Sequence, residues 1–295
     1  AGAPAAATNI YIRASERAPN DFGLLESVVN TAAEQKQLPL ALASLAKRND
    51  AGTIWYLGKA QFYLAGEERQ NGNAEQAMKM LDAARASFTQ SMTKNLAYRD
   101  SCEQWIAMAI GKQGNICYAS KKYDECEKLL IEATKMRPDL INQDLGLSES
   151  TKRGILFLVD YHRKKRNIEK CESISRTTAN AAVNDIDLQN NSGLFSRDWG
   201  NMIERSGKVE AAMEMYEQSY AAYGRAVKLD SKNVRLRNDL ALIAIHHLDR
   251  DWDETRALLE GAIADGNETL ENSPPDDAND LERLNEAVGD SYENL

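Results

Sequence analysis

The feature that most constrains this chain is a rhythm of short polar corners set between long stretches of good helix formers. The corners are Lys36–Gln37, Asn71–Asn73, Ser120–Lys122, Arg166–Asn167, Gly207–Lys208 and Asp249–Asp251. They recur about 35 to 49 residues apart, the period of helical-hairpin arrays. Between them Ala, Leu, Glu, Lys, Met and Gln dominate, and Gly and Pro are scarce. Apolar residues return every three or four positions. Tyr123, Cys126, Leu129, Leu130, Ala133 and Met136 form one such stripe along "YDECEKLLIEATKM". No segment sustains a period-two alternation, so no sheet is expected.

The pattern predicts helical pairs over 20–35 with 38–48, 53–70 with 74–93, and 100–120 with 123–136. It continues with 149–165 and 167–184, 195–206 and 208–229, then 233–248 and 252–265, and a lone helix from about 278. Asp251-x-x-Glu254 and Asn73-x-x-Gln76 read as capping boxes. Breaks are expected at Pro138, at "LQNNSG" (188–193) and at "SPPDD" (273–277). Residues 1–19 are expected to form an N-terminal extension with little regular structure, and 20–295 an array whose last repeat is incomplete. The opening "AGAPAAATN" lacks a Met, so the natural start is expected upstream, and it suits a segment after a cleaved leader as well as a linker.

The stretch from Gly114 to Pro138 resembles the tetratricopeptide repeat, whose helix–turn–helix follows W-x-x-L-G-x-x-Y, then A-x-x-x-F, then P. Ile110 stands at the Trp place, Gln113 at the Leu, Gly114 at the Gly and Cys117 at the Tyr. Cys126, Leu130 and Ala133 follow at the small, large and small places, and Pro138 closes the unit. Leu57-Gly58 with Ala77, Leu81 and Ala84 repeats the offsets, as does Trp199-Gly200 with Val209, Ala212, Tyr216 and Ser219. Trp252, Thr255, Leu259 and Ala262 supply another second half. Cys171, Ser175 and Thr178 are a degenerate copy, and Val288-Gly289-x-x-Tyr292 is a first half alone. The resemblance implies an all-α solenoid, a right-handed superhelix of stacked antiparallel helix pairs.

Charge and chemistry narrow the function. Net charge is −9 over 295 residues, from 36 basic and 45 acidic side chains. That argues against nucleic acid or an anionic membrane as partner, since each requires a concentrated basic face. The run "RKKR" at Arg163–Arg166 lies at a predicted helix end, where cations complement the helix dipole. No run of about 18 apolar residues exists to span a bilayer. Cys102, Cys117, Cys126 and Cys171 form no CxxC pair, and none is spaced from His162, His246 or His247 as metal ligands are, so reduced, packed thiols are expected. No HExxH, GxSxG, Walker A or GxGxxG sequence is present. One of the adjacent His246 and His247 should pack and the other face outward, because neighbours on a helix point about 100° apart. The expectation is a chain without catalytic residues, cofactor or metal.

What remains is surface. In tetratricopeptide arrays the first helix of each pair lines a concave groove that binds a peptide or protein. By that resemblance the groove would present Lys112, Asn115, Tyr118, Asp160, Arg163, Arg197, Asn201, Arg237, His247 and Arg283. Arg197 and Asn201 match the basic-then-Asn pair of the family's carboxylate-clamp members, although Ala241 stands where the next Asn belongs. The implied role is a protein-interaction scaffold. A structural subunit of a larger assembly and the non-catalytic arm of a longer enzyme are the alternatives.

Overall fold

A computed structural model describes residues 4–19, 21–250 and 252–295, with side chains from residue 7 onward. Among the described residues there are α-helices, two short 3-10 turns, one π turn and no strand. Contacts divide the chain into two compact units, Ala1–Leu158 and Val159–Leu295.

The first unit holds α1 (Pro4–Arg17), α2 (Phe22–Glu34), α3 (Leu38–Leu45), α4 (Ala51–Gln70), α5 (Ala74–Lys94), α6 (Arg99–Ala119) and α7 (Tyr123–Met136). The helix α8 (Thr151–Lys164) begins there and runs into the second unit. That unit continues with α9 (Ile168–Ala181), α10 (Ile186–Arg205), α11 (Val209–Leu229), α12 (Val234–Ile243), the π turn Ala244–Leu248, α13 (Trp252–Asn272) and α14 (Ala278–Asn294). Within each unit successive helices pack on one another, from α1 to α7 and from α9 to α14.

The predicted corners share one backbone device. Lys36, Gly72, Lys121, Arg166, Gly207 and Asp249 each take a left-handed φ, between 48° and 84°. In five corners the following N–H reaches back five residues: Gln37 to Ala32, Asn73 to Glu68, Lys122 to Cys117, Asn167 to His162 and Lys208 to Ile203, at 2.7–3.3 Å. This closes the orphan carbonyls of the helix end and turns the chain back on itself. The sixth corner differs because the π turn adds a residue, so the Arg250 N–H reaches Ala244 instead. Asp251, and with it the capping box to Glu254, lies outside the described residues. The other expected box does not form: the Asn73 amide donates to Glu68 Oε2 at 2.8 Å, and no side chain caps α5.

Five residues past the left-handed corner, the small–large–small triplet begins. Ala77, Leu81 and Ala84, then Cys126, Leu130 and Ala133, then Cys171, Ser175 and Thr178, then Ala212, Tyr216 and Ser219 are all at most 2% exposed. Thr255, Leu259 and Ala262 repeat this after the lengthened corner. In three of the six pairs the first helix answers with a small residue, Ala65, Gly114 or Gly200, seven positions before the left-handed residue of the corner. A Cβ on Gly114 would stand 2.7 Å from Leu130, and one on Gly200 2.7 Å from Tyr216. In the 20- and 21-residue hairpins α4–α5 and α10–α11 a second layer lies two turns further out, where Gly58 meets Phe88 and Gly193 meets Tyr223. Gly58 therefore matches Gly193, and Ala65 holds the place that Gly114 and Gly200 hold. Cores run through adjacent pairs: Phe62, Leu81, Phe88, Ile106 and Ile110 belong to one cluster spanning α4 to α6.

Three expectations are corrected. Pro4–Arg17 is helical, where little regular structure is expected for 1–19. Pro at a first helical position and the following Ala run favour a helix, and Tyr11 and Ile12 dock on the core of α2 and α3. "LQNNSG" is not a break: Asp185 caps α10 by accepting from the Leu188 N–H at 3.0 Å, and Gly193 lies inside the helix because Tyr223 occupies the space beside it. The helix from 278 is not alone, since Ala287 and Val288 pack with Val234 and Ala262. The four cysteines are buried and form no disulfide. Burial pushes the thiols up, to about 11 for Cys117 and about 12 for Cys126.

Candidate functional sites

In the first unit the chain between α7 and α8 folds back over the faces of α4 and α6. Pro138–Leu140 forms a 3-10 turn, and the side chains of Ile141 and Leu145 are buried. Arg69 on α4 grips the carboxylate of Glu149 with both guanidinium nitrogens, and the Lys152 N–H donates to the Ile141 carbonyl at 2.9 Å. Beneath lies a cavity of about 590 Å³ lined by Phe62, Tyr63 and Gly66 of α4, Trp105, Met108 and Lys112 of α6, and Asp144 and Leu145 of the loop, among others. Trp105 meets Phe62 edge-on at 5.2 Å and stacks on Phe88 at 5.8 Å.

Lys112 is 5% exposed, and its Nζ stands 4.5 Å from the Phe62 ring centre. No described carboxylate comes within 4.0 Å of it. Burial lowers its pKa to about 8. The Arg69 guanidinium adds to that, while Glu149 and Asp144 act against it.

Asn115 and Tyr118 are occupied in a different way. The Asn115 amide donates to the Ser150 carbonyl at 3.2 Å and fixes the start of α8. Tyr118 stacks on Phe157 at 5.9 Å and meets Tyr123 edge-on at 5.7 Å.

In the second unit Asp160 pairs with Arg163 at 2.7 Å and Lys164 at 2.6 Å on the solvated end of α8. Those two partners hold its carboxyl below the ordinary range, Lys164 foremost. Arg197 and Asn201 lie one turn apart on α10. Nε and Nη2 of Arg197 donate to Asp198 Oδ1 at 3.1 and 2.9 Å, and its Nη1 makes no hydrogen bond among the described residues. The Tyr216 hydroxyl stands 2.9 Å from Asn201 Oδ1 and 2.7 Å from Glu204 Oε2. His247 stacks on the Tyr216 ring at 3.9 Å, and burial lowers its pKa. His246 is exposed. The structure thus links Asn201 and His247 through Tyr216, over α10, α11 and the π turn, with Arg197 one turn before Asn201 on α10.

Two of the expected groove residues lie elsewhere. Arg237 is 7% exposed, with Nη2 2.5 Å from Asp265 Oδ2 and 3.2 Å from the Lys232 carbonyl, so it ties α12 to α13 rather than facing a partner. Arg283 is exposed on α14 beside Asp280, at 3.5 Å.

The aromatic walls of the first cavity are absent from the sequence-based list. The signal that could have found them is the long stretch after Pro138 that no helix claims, together with Phe62, Tyr63 and Trp105 on the first helices of two successive pairs. Among the described residues no group of three or more His, Cys, Asp or Glu is placed to hold a metal ion, and no helix is long and apolar enough to cross a membrane.

No protein-family model matches the chain, and no curated protein sequence matches it. Among solved structures it is similar to yeast Tom70, at 12% identity and a TM-score of 0.35 over 98% of this chain. It spans 59% of the Tom70 chain. It is also similar to the human IFIT1 dimer with m7Gppp-AAAA, at 12% identity and a TM-score of 0.34, over 97% of this chain and 80% of that one.

Proposed function

We propose that the chain is a non-catalytic interaction scaffold that binds a protein or peptide partner, and that the α10 face of its second unit makes contact. The observation behind this is the pair Arg197 and Asn201, one turn apart, each held by a neighbour and each with polar capacity to spare. Arg197 keeps Nη1, and one end of the Asn201 amide is not engaged. Such a pair can bracket one peptide unit, with guanidinium N–H donors toward a carbonyl or carboxylate and the amide toward the backbone. Asp198 already answers much of the Arg197 charge, which favours backbone contacts over capture of a strongly acidic segment. The tetratricopeptide-like pairing of helices supports the same reading, since first helices in such arrays carry the ligand face.

The test is affinity capture from the native source with the natural chain and with an Arg197→Ala/Asn201→Ala variant. Proteins retained by the first and lost by the second are then titrated by calorimetry. A partner bound at least tenfold more weakly by the variant supports the proposal, because shielded charge-assisted hydrogen bonds contribute about 1.5–3 kcal/mol each. Equal affinity for both would move the interface off α10.

A further inference from the structure

The cavity of the first unit is lined by no residue of α10 and has the features of a ligand site. Its volume of about 590 Å³ lies within the range of small-molecule pockets, on the order of 300–1,000 Å³. Its walls are aromatic and thioether side chains, Phe62, Tyr63, Trp105 and Met108, suited to a flat apolar body. Its single buried cation has no anionic partner. An ammonium taken out of water is stabilised in proteins by a carboxylate or by hydrogen bonds, and Lys112 has the face of one aromatic ring. The ammonium lies close against Gly66, where a Cβ would stand 3.1 Å from Nζ.

We propose that this cavity binds a small aromatic or apolar compound bearing one carboxylate, with the carboxylate on Lys112 Nζ and the body against Trp105, Phe62 and Met108. Charge sets the limit at one. Asp144 and Glu67 also line the cavity, so a second negative group on the ligand would meet like charge. The loop favours a small molecule over a continuous peptide. It is pinned to α4 by the Arg69–Glu149 pair and to the start of α8 by the Lys152 N–H, which fixes Asp144 and Leu145 as one wall of a half-open pocket.

The experiment is a calorimetric and NMR titration of the whole chain with indole-3-propionate, tryptamine and indole. These share one ring system and carry a carboxylate, an ammonium and no charge. Indole-3-propionate is expected to saturate one site, at least tenfold more tightly than tryptamine, with indole between them. Shifts on the natural chain should centre on the Trp105 indole N–H and the amides of residues 62–66 and 143–146, a readout that needs no variant. Lys112→Met, close to isosteric and apolar, should weaken indole-3-propionate at least tenfold and leave indole within about twofold. No saturable binding at millimolar concentration, equal affinity for the acid and the amine, or full affinity in Lys112→Met would each overturn the proposal. Loss of the α10 partner would leave these outcomes unchanged, so the two readings fail separately.

Discussion

Lys112 in the first unit and Arg237 in the second are both buried cations on helices that open a pair, and both would be groove contacts by the sequence pattern. They are 5% and 7% exposed. Arg237 has Asp265 at 2.5 Å and a backbone carbonyl at 3.2 Å. Lys112 has a ring face and a cavity. The first is a charge paired within the fold, where its Nη2 joins two helices although its buried Nε has no partner. The second is a charge left for something the chain does not supply. Removing a partner from the one and removing the charge from the other should therefore move stability in opposite directions.

Among changes to the two cations and their partners, the largest loss of stability is expected from breaking the Arg237–Asp265 pair. Asp265→Ala leaves the Arg237 guanidinium with only the Lys232 carbonyl, and stranding a buried charge costs about 3–5 kcal/mol when it is fully enclosed. The Asp265 side chain is one-third exposed, at 33%, so water can reach the gap and the expected loss is reduced to about 2–3 kcal/mol. Urea unfolding and hydrogen exchange over α12 and α13 would measure it. A loss under about 0.5 kcal/mol would remove the contrast with Lys112.

The opposite sign is expected at Lys112. A pKa brought from 10.5 down to about 8 corresponds to roughly 3 kcal/mol against the charged form. Lys112→Met should recover part of this, about 1–3 kcal/mol, while losing the carboxylate ligand. A gain in stability with a loss of binding is the signature of a residue kept for its site. The pH dependence follows with a definite sign. Between about 8 and 10.5 the unfolded chain still holds the Lys112 proton that the folded chain has released, so stability rises with pH in that window. The variant lacks the rise, and its advantage should shrink from pH 8 to pH 10.5. Taking the difference between the two proteins cancels the buried thiols and phenols that also titrate there. A constant difference across the window would show that Lys112 is solvated.

The contrast also marks where the sequence could be read and where it could not. Corners were legible because local backbone chemistry makes them. Six left-handed residues fall at the six predicted corners, although four of them are Lys, Arg or Asp rather than Gly. The buried triplets were legible for the same reason, since Ala77-x-x-x-Leu81-x-x-Ala84 and its copies lie within single helices. Asn and Ser suggested a break at 188–193, yet an Asp cap upstream and a Tyr223 ring outweighed that propensity. The two cations were told apart only by contacts distant in sequence. Asp265 lies 28 residues from Arg237, and the Glu149 that anchors the loop beside Lys112 lies 80 residues from its partner Arg69. Residue type and helical phase place both cations on inward faces. They do not say which one finds a carboxylate.

The smallest effect sharpens the comparison at the edge of the second site. The Tyr216 hydroxyl has one proton and two close acceptors, Glu204 Oε2 at 2.7 Å and Asn201 Oδ1 at 2.9 Å. The shorter contact, to a carboxylate, is the better place for the proton, and Asn201 then serves best with its amide turned to donate to the phenol oxygen. Tyr216→Phe removes this link and keeps the ring that stacks on His247 at 3.9 Å and fills the space beside Gly200. Glu204 is exposed and Asn201 partly so, so water can replace what the hydroxyl gave. The expected cost is about 0.5–1.5 kcal/mol of stability, the net value of a hydrogen bond whose partners stay solvated. Tyr216→Ala should cost about 3–5 kcal/mol by emptying the core position. The Phe variant should also weaken the α10 partner, because Asn201 loses the contact that orients it, though by less than Arg197→Ala does. Equal losses of stability for Phe and Ala would show that the hydroxyl, and not the ring, holds this end of the second unit together.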